Sequence, residues 1–166
     1  IRRGKRLVKK ELEPSGQFAV FQNSMQPLGF YDAKNVEGDT AFVISAGSAG
    51  EIGYSDVPFW AADDVYYFVP KENLKSKYLY YSLLNQQNTI KSQVRRASVP
   101  RLSRIVIEDL AILIPPLSEQ ARIVAILDKF DKLVNSLCEG LPREIELRHK
   151  QYEYYRDQLL TFPEPE

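Results

Sequence analysis

The chain has 166 residues, and its 22 lysines and arginines balance its 22 aspartates and glutamates, so the formal net charge is zero. A single cysteine excludes an internal disulfide, and a single histidine excludes a metal site with two histidine ligands. No apolar run is long enough to span a bilayer, and no secretory signal opens the chain. We therefore expect a soluble protein with one globular domain and an appendage.

The zero net charge hides an uneven distribution of charge along the chain. Residues 1–10 carry six cations and residues 91–104 carry five, and neither segment contains an acid. The remainder is acidic, at −6 over residues 11–90 and −5 over residues 105–166. Two basic clusters on an acidic chain favour a local phosphate-binding surface, with a solvated face as the equally common alternative for either cluster alone.

The first two-thirds of the chain are typical of short strands joined by turns. Residues 40–45 and 51–55 are rich in β-forming types and flank a glycine-rich segment, which predicts a hairpin. Residues 65–69 predict a further strand, and 111–114 predict a last one before two prolines. Leucines and tyrosines at steps of three and four residues predict one helix over 73–93.

The apolar pattern changes at Pro115-Pro116. Beyond these prolines, apolar residues recur at alternating steps of four and three, which is the heptad pattern of a helix that packs against another helix. The predicted seam consists of Ile123, Leu127, Phe130, Val134, Leu137, Leu141, Ile145, Tyr152, Tyr155 and Leu159. Gly140-Leu141-Pro142 interrupts it, and we interpret this as a helix stop and restart, with a kink in one long helix as the alternative.

These elements predict an α+β fold in two parts. Residues 1–115 form a mixed, mainly β domain with one helix packed on it. Residues 116–166 form a long helical coiled-coil spacer and dimerisation region. The change from mixed to heptad periodicity places the border between them near the two prolines.

Polar side chains suited to DNA recognition fall in loops of the first part. Amides can read adenine edges, arginine contacts guanine or phosphate, and glycine lets a backbone approach its ligand closely. The candidate DNA-binding residues are Lys5, Arg6, Gln22, Asn23, Ser24, Ser45, Gly47, Ser48, Arg95, Arg96, Ser98, Arg101 and Arg104. Turns without a ligand remain the alternative for residues 22–24 and 47–53, since Asn, Ser and Gly favour turns for local reasons.

Motifs for catalysis are weak or missing. Residues 47–53 lack the glycine spacing of a nucleotide-binding loop, and Asp32-Ala-Lys34 lacks the partner acid of a nuclease-like metal site. Asp63-Asp64 stands without a second acidic motif, and no motif for methyl transfer to a base is present. We expect no metal, no cofactor and no catalytic activity.

The run from Pro115 to Asp131, which opens Pro-Pro-Leu-Ser-Glu-Gln, closely resembles the conserved region of the DNA-specificity subunit of type I restriction–modification systems. Further segments that resemble the same family are 4–7, 20–24, 43–50, 59–64, 93–102 and 139–160. The resemblance covers nearly the whole chain, and so many ordered segments are hard to obtain by chance.

The resemblance implies a non-catalytic subunit that brings modification (methyltransferase) subunits, and through them restriction subunits, to a bipartite site in double-stranded DNA. One recognition domain would read one half-site, and the coiled coil would set the spacing. The family's full subunit carries two recognition domains, so this chain would be a cytoplasmic half-subunit that works as a homodimer. The alternatives are a coiled-coil interaction protein that binds no DNA, and a nuclease or methyltransferase with a cryptic site.

Overall fold

The computed structural model describes the backbone of residues 1–160 and the side chains of residues 1–134, 141, 144–151 and 154. It divides into two compact units, Ile1–Val124 and the chain from Ala125 onward. Within residues 1–160, every strand belongs to the first unit, and the second unit is helical. The predicted mixed class of sheets and helices is therefore confirmed.

Short strands of the first unit form two sheets. In chain order they are β1 (Arg2–Arg3), β2 (Phe18–Phe21), β3 (Gly29–Tyr31), β4 (Thr40–Ile44), β5 (Ile52–Ser55), β6 (Trp60–Ala61) and β7 (Val65–Tyr67). The larger sheet has the order β1-β7-β4-β5 and is antiparallel throughout. In the smaller sheet, of order β3-β2-β6, β2 is antiparallel to β3 and parallel to β6. The predicted hairpin is confirmed as β4 and β5.

Four α-helices follow the strands within residues 1–160. They are α1 (Ser76–Asn85), α2 (Gln87–Ser92), α3 (Arg104–Glu108) and α4 (Leu117–Leu160), and a 3₁₀ turn covers Lys9–Glu11. The single helix predicted over 73–93 is thus two helices, because the chain turns at Gln86 and closes α1 through a hydrogen bond to the Leu83 carbonyl. The first unit accordingly contains three short helices rather than the one that the sequence predicted.

The strand predicted over residues 111–114 is wrong. The segment between α3 and α4 pairs with no strand, and side chains bind its carbonyl groups instead. The Tyr78 hydroxyl donates to the Leu113 carbonyl (2.9 Å), and the Gln86 amide donates to the Ala111 carbonyl (3.0 Å). Aliphatic residues before two prolines resemble a buried strand in sequence, but here side chains of α1 and of Gln86, which follows it, supply hydrogen bonds to this segment.

Helix α4 is continuous from Leu117 to Leu160 and includes Gly140 and Pro142. The predicted stop and restart is therefore wrong. An interior proline costs about 3 kcal/mol. Helix formation is cooperative, however, and long stretches of good helix formers on both sides propagate the helix across a single unfavourable site.

Strand β4 lies at the centre of the core and is buried along its whole length. Because side chains alternate along a strand, Ala41 and Val43 join one apolar cluster and Phe42 and Ile44 join the other. The first cluster is completed mainly by the helices, and the second by residues from the smaller sheet and its loops, including Phe59. The larger sheet therefore carries an apolar cluster on each face.

Candidate nucleic-acid interface

Loops from three parts of the chain meet at one edge of the first unit. The Ser48 N–H donates to the Asn23 carbonyl (2.9 Å), and the Gly47 N–H donates to the Pro100 carbonyl (3.1 Å). The turn after β4 thus joins the loop after β2 to the basic segment near residue 100. We call residues 22–24, 45–48 and 95–101 together the loop surface.

Glycine at position 47 is required by this close approach. Its φ is +79°, and a Cβ atom there would lie 2.6 Å from the Asn23 carbonyl oxygen. The same turn is closed by a hydrogen bond from the Gly50 N–H to the Ile44 carbonyl (2.9 Å), and Gly50 also has a positive φ of +86°. The glycines therefore make a turn that needs their torsions, and the turn also brings separate loops together.

The basic segment forms a small closed loop, which we call the basic hairpin (residues 95–101). Arg95 and Arg101 exchange both backbone hydrogen bonds, at 2.9 and 3.1 Å. Arg95, Arg96, Ser98 and Arg101 are all exposed. Within the described residues, none of these three arginines forms a salt bridge, so each guanidinium is available to an anion.

The loop after β2 also exposes polar groups. The Asn23 side chain is exposed, while Gln22 and Ser24 are half-buried. The Ser24 hydroxyl donates to the Gln26 carbonyl (2.9 Å), which is the local turn bond that its sequence context favours. Asn23 is thus the exposed amide among residues 22–24.

The N-terminal cations lie beside the smaller sheet. The Lys5 N–H donates to the Ala61 carbonyl (2.9 Å), and the Trp60 indole donates to the Lys5 carbonyl (3.0 Å). Ala62, the next residue, donates to the carbonyl of Phe21 (2.9 Å), which directly precedes the loop after β2. Lys5 and Arg6 are both exposed, and the Lys5 backbone is joined through Ala61 and Ala62 to Phe21, the residue before the loop surface.

Two candidate residues, Ser45 and Arg104, are buried or paired within the fold. Ser45 is buried, and its backbone binds the Asp64 carbonyl (2.7 Å) and the Leu102 N–H (2.8 Å). Arg104 lies on α3, where its Nε donates to the Glu108 carboxylate at 2.8 Å. The arginines of the basic hairpin, in contrast, are exposed and form no salt bridge within the described residues.

The sequence interpretation missed Lys91 on α2. A Cβ atom on Gly50 would come within 3.0 Å of the Lys91 Cγ atom, so this exposed lysine packs against the turn that carries Gly47. Lys91 is the first residue of the basic segment 91–104, but the helical pattern of the sequence did not indicate that its side chain lies toward the turn of Gly50. Only the packing of α2 on the turn shows that its stem lies beside the loop surface.

Asp63 and Asp64, the acids near this edge, accept hydrogen bonds through their backbone carbonyl groups. The Asp63 carbonyl accepts a hydrogen bond from the Arg3 guanidinium (2.7 Å), and the Asp64 carbonyl accepts the bond from Ser45. Within the described residues, no group of three or more His, Cys, Asp or Glu side chains could hold a metal ion. Nor does any helix in that part of the chain have the length and apolar character needed to cross a membrane.

The seam of α4 is largely exposed. Phe130, Val134, Leu141 and Ile145 are exposed, and Ile123 and Leu127 are half-buried. The side chains of Leu137, Tyr152, Tyr155 and Leu159, which complete the predicted seam, lie outside the described residues.

Comparison with known proteins shows one consistent family. The model of the type I restriction modification DNA specificity domain matches residues 1–147. A type I restriction enzyme specificity subunit of Escherichia coli is 46% identical over 112 residues, which cover 66% of this chain and 28% of that protein. A putative type I specificity subunit of Mycoplasma pneumoniae is 33% identical over 167 residues, covering 98% of this chain and 69% of the relative. The chain thus spans well under a third of the first relative's length.

Solved structures share the fold. The S subunit of a type I restriction–modification system from M. genitalium has a TM-score of 0.74 at 24% identity, over 90% of this chain and 41% of that one. An S subunit from Thermoanaerobacter tengcongensis has a TM-score of 0.63 at 18% identity, over 83% and 36% of the two chains. The resemblance read from the residues alone is therefore confirmed by sequence and by fold.

Proposed function

The chain belongs to the type I restriction–modification DNA specificity family, and from this premise we propose that its first unit binds double-stranded DNA and reads one half-site. The observation that carries this proposal is the loop surface, where three separate loops meet around exposed, unpaired arginines. Amide, hydroxyl and guanidinium groups on loops held by backbone hydrogen bonds are suited to contact base edges and phosphates together.

The proposed contact residues follow from exposure and surroundings. We leave out Ser45, which is buried, and Arg104, which is paired with Glu108. The proposed set is Lys5, Arg6, Gln22, Asn23, Ser24, Gly47, Ser48, Arg95, Arg96, Ser98 and Arg101. Lys5 and Arg6 lie off the loop surface and suit phosphate contacts, whereas Asn23 and Ser98 suit base edges.

The second unit would supply a protein interface. A helix alone leaves an apolar seam in water, and the heptad spacing of Phe130, Val134 and Leu141 matches a partner helix of the same kind. We propose that the seam pairs with that of a second copy. Two-fold pairing would present two recognition domains to an interrupted palindrome, with the helices setting the half-site spacing.

In this proposal the chain is a non-catalytic subunit. It directs modification subunits, and through them restriction subunits, to the DNA site that it reads. Such an assembly works on cellular DNA, which places it in the cytoplasm. A DNA-modifying enzyme is the less supported alternative, and any methylation or cleavage by the isolated chain would establish it.

The test is retention of duplex DNA as a function of salt. Each neutralised phosphate contributes about −0.9 to the slope of log affinity against log salt. We expect the double variant Arg95→Ala, Arg96→Ala to lower affinity at least tenfold and to reduce the slope by about 2. The matched control, Arg122→Ala with Arg148→Ala, removes two exposed arginines from α4 and should change neither value.

Two outcomes would count against the proposal. Unchanged affinity and slope in the hairpin variant would remove the basic hairpin from the interface. Absence of salt-dependent retention of any duplex would refute DNA binding itself. Sequencing of the sites methylated when the chain acts with a modification subunit would then give the half-site, its spacing and its symmetry together.

A further inference from the structure

The basic hairpin has a narrow tip that is open to solvent. Arg96, Ala97, Ser98 and Val99 are all exposed, and Val99 exposes 46% of its surface. Three of these four side chains are small. A closed two-stranded loop with small side chains at its end is slim enough for the B-DNA major groove, which is about 12 Å wide.

The tip is held in place from below. Arg95 and Arg101 close the loop through their paired backbone bonds, and the Pro100 carbonyl accepts the Gly47 N–H. Leu102 then donates to the Ser45 carbonyl (2.8 Å), which ties the hairpin to the end of β4. Because Pro100 also restricts the backbone of the residue before it, Val99 is presented in a limited range of conformations. Preorganisation of this kind lowers the entropy cost of binding.

The chemistry of the tip differs from that of its base. At the base, Arg95 and Arg101, with Lys91 beside the adjoining turn, supply cations that suit phosphates, and Arg96 at the tip adds another. Ala97 and Val99 bring methyl groups instead. The thymine C5-methyl is the apolar group that the major-groove edge of a base pair displays, and small apolar side chains are its usual contacts.

We propose that the tip enters the major groove and that Val99 contacts a thymine methyl group of the half-site. Arg95, Arg101 and Lys91 then hold the flanking phosphates. The inference rests on the proposed DNA-binding function and adds to it a specificity-determining residue and the base feature that this residue reads.

The experiment couples a change in the protein to a change in the DNA. The half-site is first selected from random duplexes with the whole wild-type chain. Each thymine of the selected site is then replaced, one at a time, by deoxyuridine, which removes only the methyl group. Affinities for Val99→Ala, for wild type and for the control Val57→Ala are measured by fluorescence anisotropy at fixed salt. Val57 is also an exposed valine, at 64%, but lies between β5 and β6.

We expect one thymine position at which deoxyuridine weakens wild-type binding about three- to fivefold, the value of one buried methyl group. Val99→Ala should weaken binding to the thymine site by a similar factor and lose its sensitivity at that position alone. Val57→Ala should behave as wild type. The unfolding midpoint in urea should be the same for all three proteins, since both valines are exposed.

Other results overturn the inference in distinguishable ways. If Val99→Ala keeps the full deoxyuridine effect, or if no thymine position is sensitive, Val99 does not read a methyl group, while DNA binding stands. A selected half-site without thymine has the same consequence. If wild type shows no sequence preference among duplexes, the proposed function itself fails and the tip has no base to read.

Discussion

The two units of the chain use apolar residues in opposite ways. In the first unit, β4 is buried over its whole length and its side chains fill two clusters inside the unit. In the second unit, Phe130, Val134 and Leu141 are exposed on α4. A sheet covered on both faces completes its own core, whereas a single helix cannot bury a stripe of its own. The first unit thus completes its own core, and the exposed residues of the second unit are the basis of the proposal that α4 pairs with a second copy.

The largest expected effect is a loss of stability that tests the core of the first unit. Phe59 is fully buried and packs against the rings of Phe21 and Phe42, at centroid distances of 5.5 and 5.1 Å. Phe59→Ala should therefore lower the free energy of unfolding by about 3–5 kcal/mol. Urea unfolding followed through the fluorescence of the one tryptophan, Trp60, measures the change.

Phe30 provides the control for this prediction. It is also an aromatic residue of the smaller sheet, but 46% of its surface is exposed. Phe30→Ala should cost less than about 1 kcal/mol. If Phe59→Ala and Phe30→Ala lowered the free energy of unfolding equally, the apolar cluster around Phe42 and Phe59 would not be the core that stabilises this unit.

The next effect concerns the point where α4 begins. Gln120 is fully buried, accepts a hydrogen bond from the Lys75 N–H (2.9 Å), and donates to the carbonyls of Asn73 (2.8 Å) and Pro115 (2.7 Å). Gln120→Ala would leave these three backbone groups without their partner. We expect a loss of at least about 2 kcal/mol in the same urea experiment.

Gln86→Ala serves as the matched control for the glutamine. Gln86 is half-buried and makes a single side-chain bond, to the Ala111 carbonyl. Its loss should cost about 1 kcal/mol. If Gln120→Ala were no more harmful than Gln86→Ala, the first turn of α4 would not be held by its buried amide.

A smaller effect tests the second unit. If Ile145 packs against a second copy, Ile145→Glu removes an apolar contact worth about 1.5–3 kcal/mol per chain, so the dimer should dissociate at least ten times more readily. Light scattering over a concentration series at fixed salt measures the dissociation constant of the dimer. Unfolding of the first unit in urea should not change.

Leu147 offers a control on the same helix. It is exposed to a similar extent, 57% against 64% for Ile145, but two residues place it about 200° away around the helix. Leu147→Glu should leave the oligomeric state of the wild type unchanged. A wild-type chain that is strictly monomeric would contradict the pairing proposal, and equal effects of both variants would contradict the predicted seam.

The smallest expected effect is a pKa change in an exposed carboxyl pair of the first unit, Glu13 and Asp32. The protonated Glu13 carboxyl donates a hydrogen bond to the side chain of Asp32, and this bond, together with the negative charge of Asp32, raises the pKa of Glu13 above its ordinary 4.5. A carboxyl with a raised pKa favours the folded state in its protonated form. Its contribution is therefore present at low pH and is lost as the pH rises through that pKa. Asp32→Asn should lower the Glu13 pKa toward 4.5, which NMR titration of the carboxyl measures.

Asp109→Asn is the control for the titration, because Asp109 follows α3 and is not among the causes of the Glu13 shift. It should leave the Glu13 pKa where it is. A Glu13 pKa that stays raised in Asp32→Asn would assign the shift to another cause.

Several features of the fold were predictable because their cause is local. The hairpin of β4 and β5 follows from β-forming residues on either side of glycines, and the helical third follows from heptad spacing. One prediction failed because distant contacts decide the outcome. Residues 111–114 have the composition of a strand, but side chains from the region of α1 bind their carbonyls.

The candidate site shows the same division. Exposed arginines and amides could be selected by residue type, since the chemistry of DNA contacts is known. The sequence did not separate the buried Ser45 or the paired Arg104 from the accessible residues, and it did not single out Lys91. The burial of Ser45 depends on Asp64 and Leu102, which are remote in sequence, whereas Arg104 pairs with Glu108 one helical turn away and only the helix α3 brings the two together.

The sequence by itself determined the family, the alternation of strands and turns, and the heptad seam, because each depends on residue type and spacing. Only the tertiary structure decided that the loops at residues 23, 47 and 100 form one surface. Their contact depends on two backbone hydrogen bonds, Ser48 to Asn23 and Gly47 to Pro100, and on the positive φ of Gly47. The net charge of zero is the sum of two basic segments, residues 1–10 and 91–104, and an otherwise acidic chain.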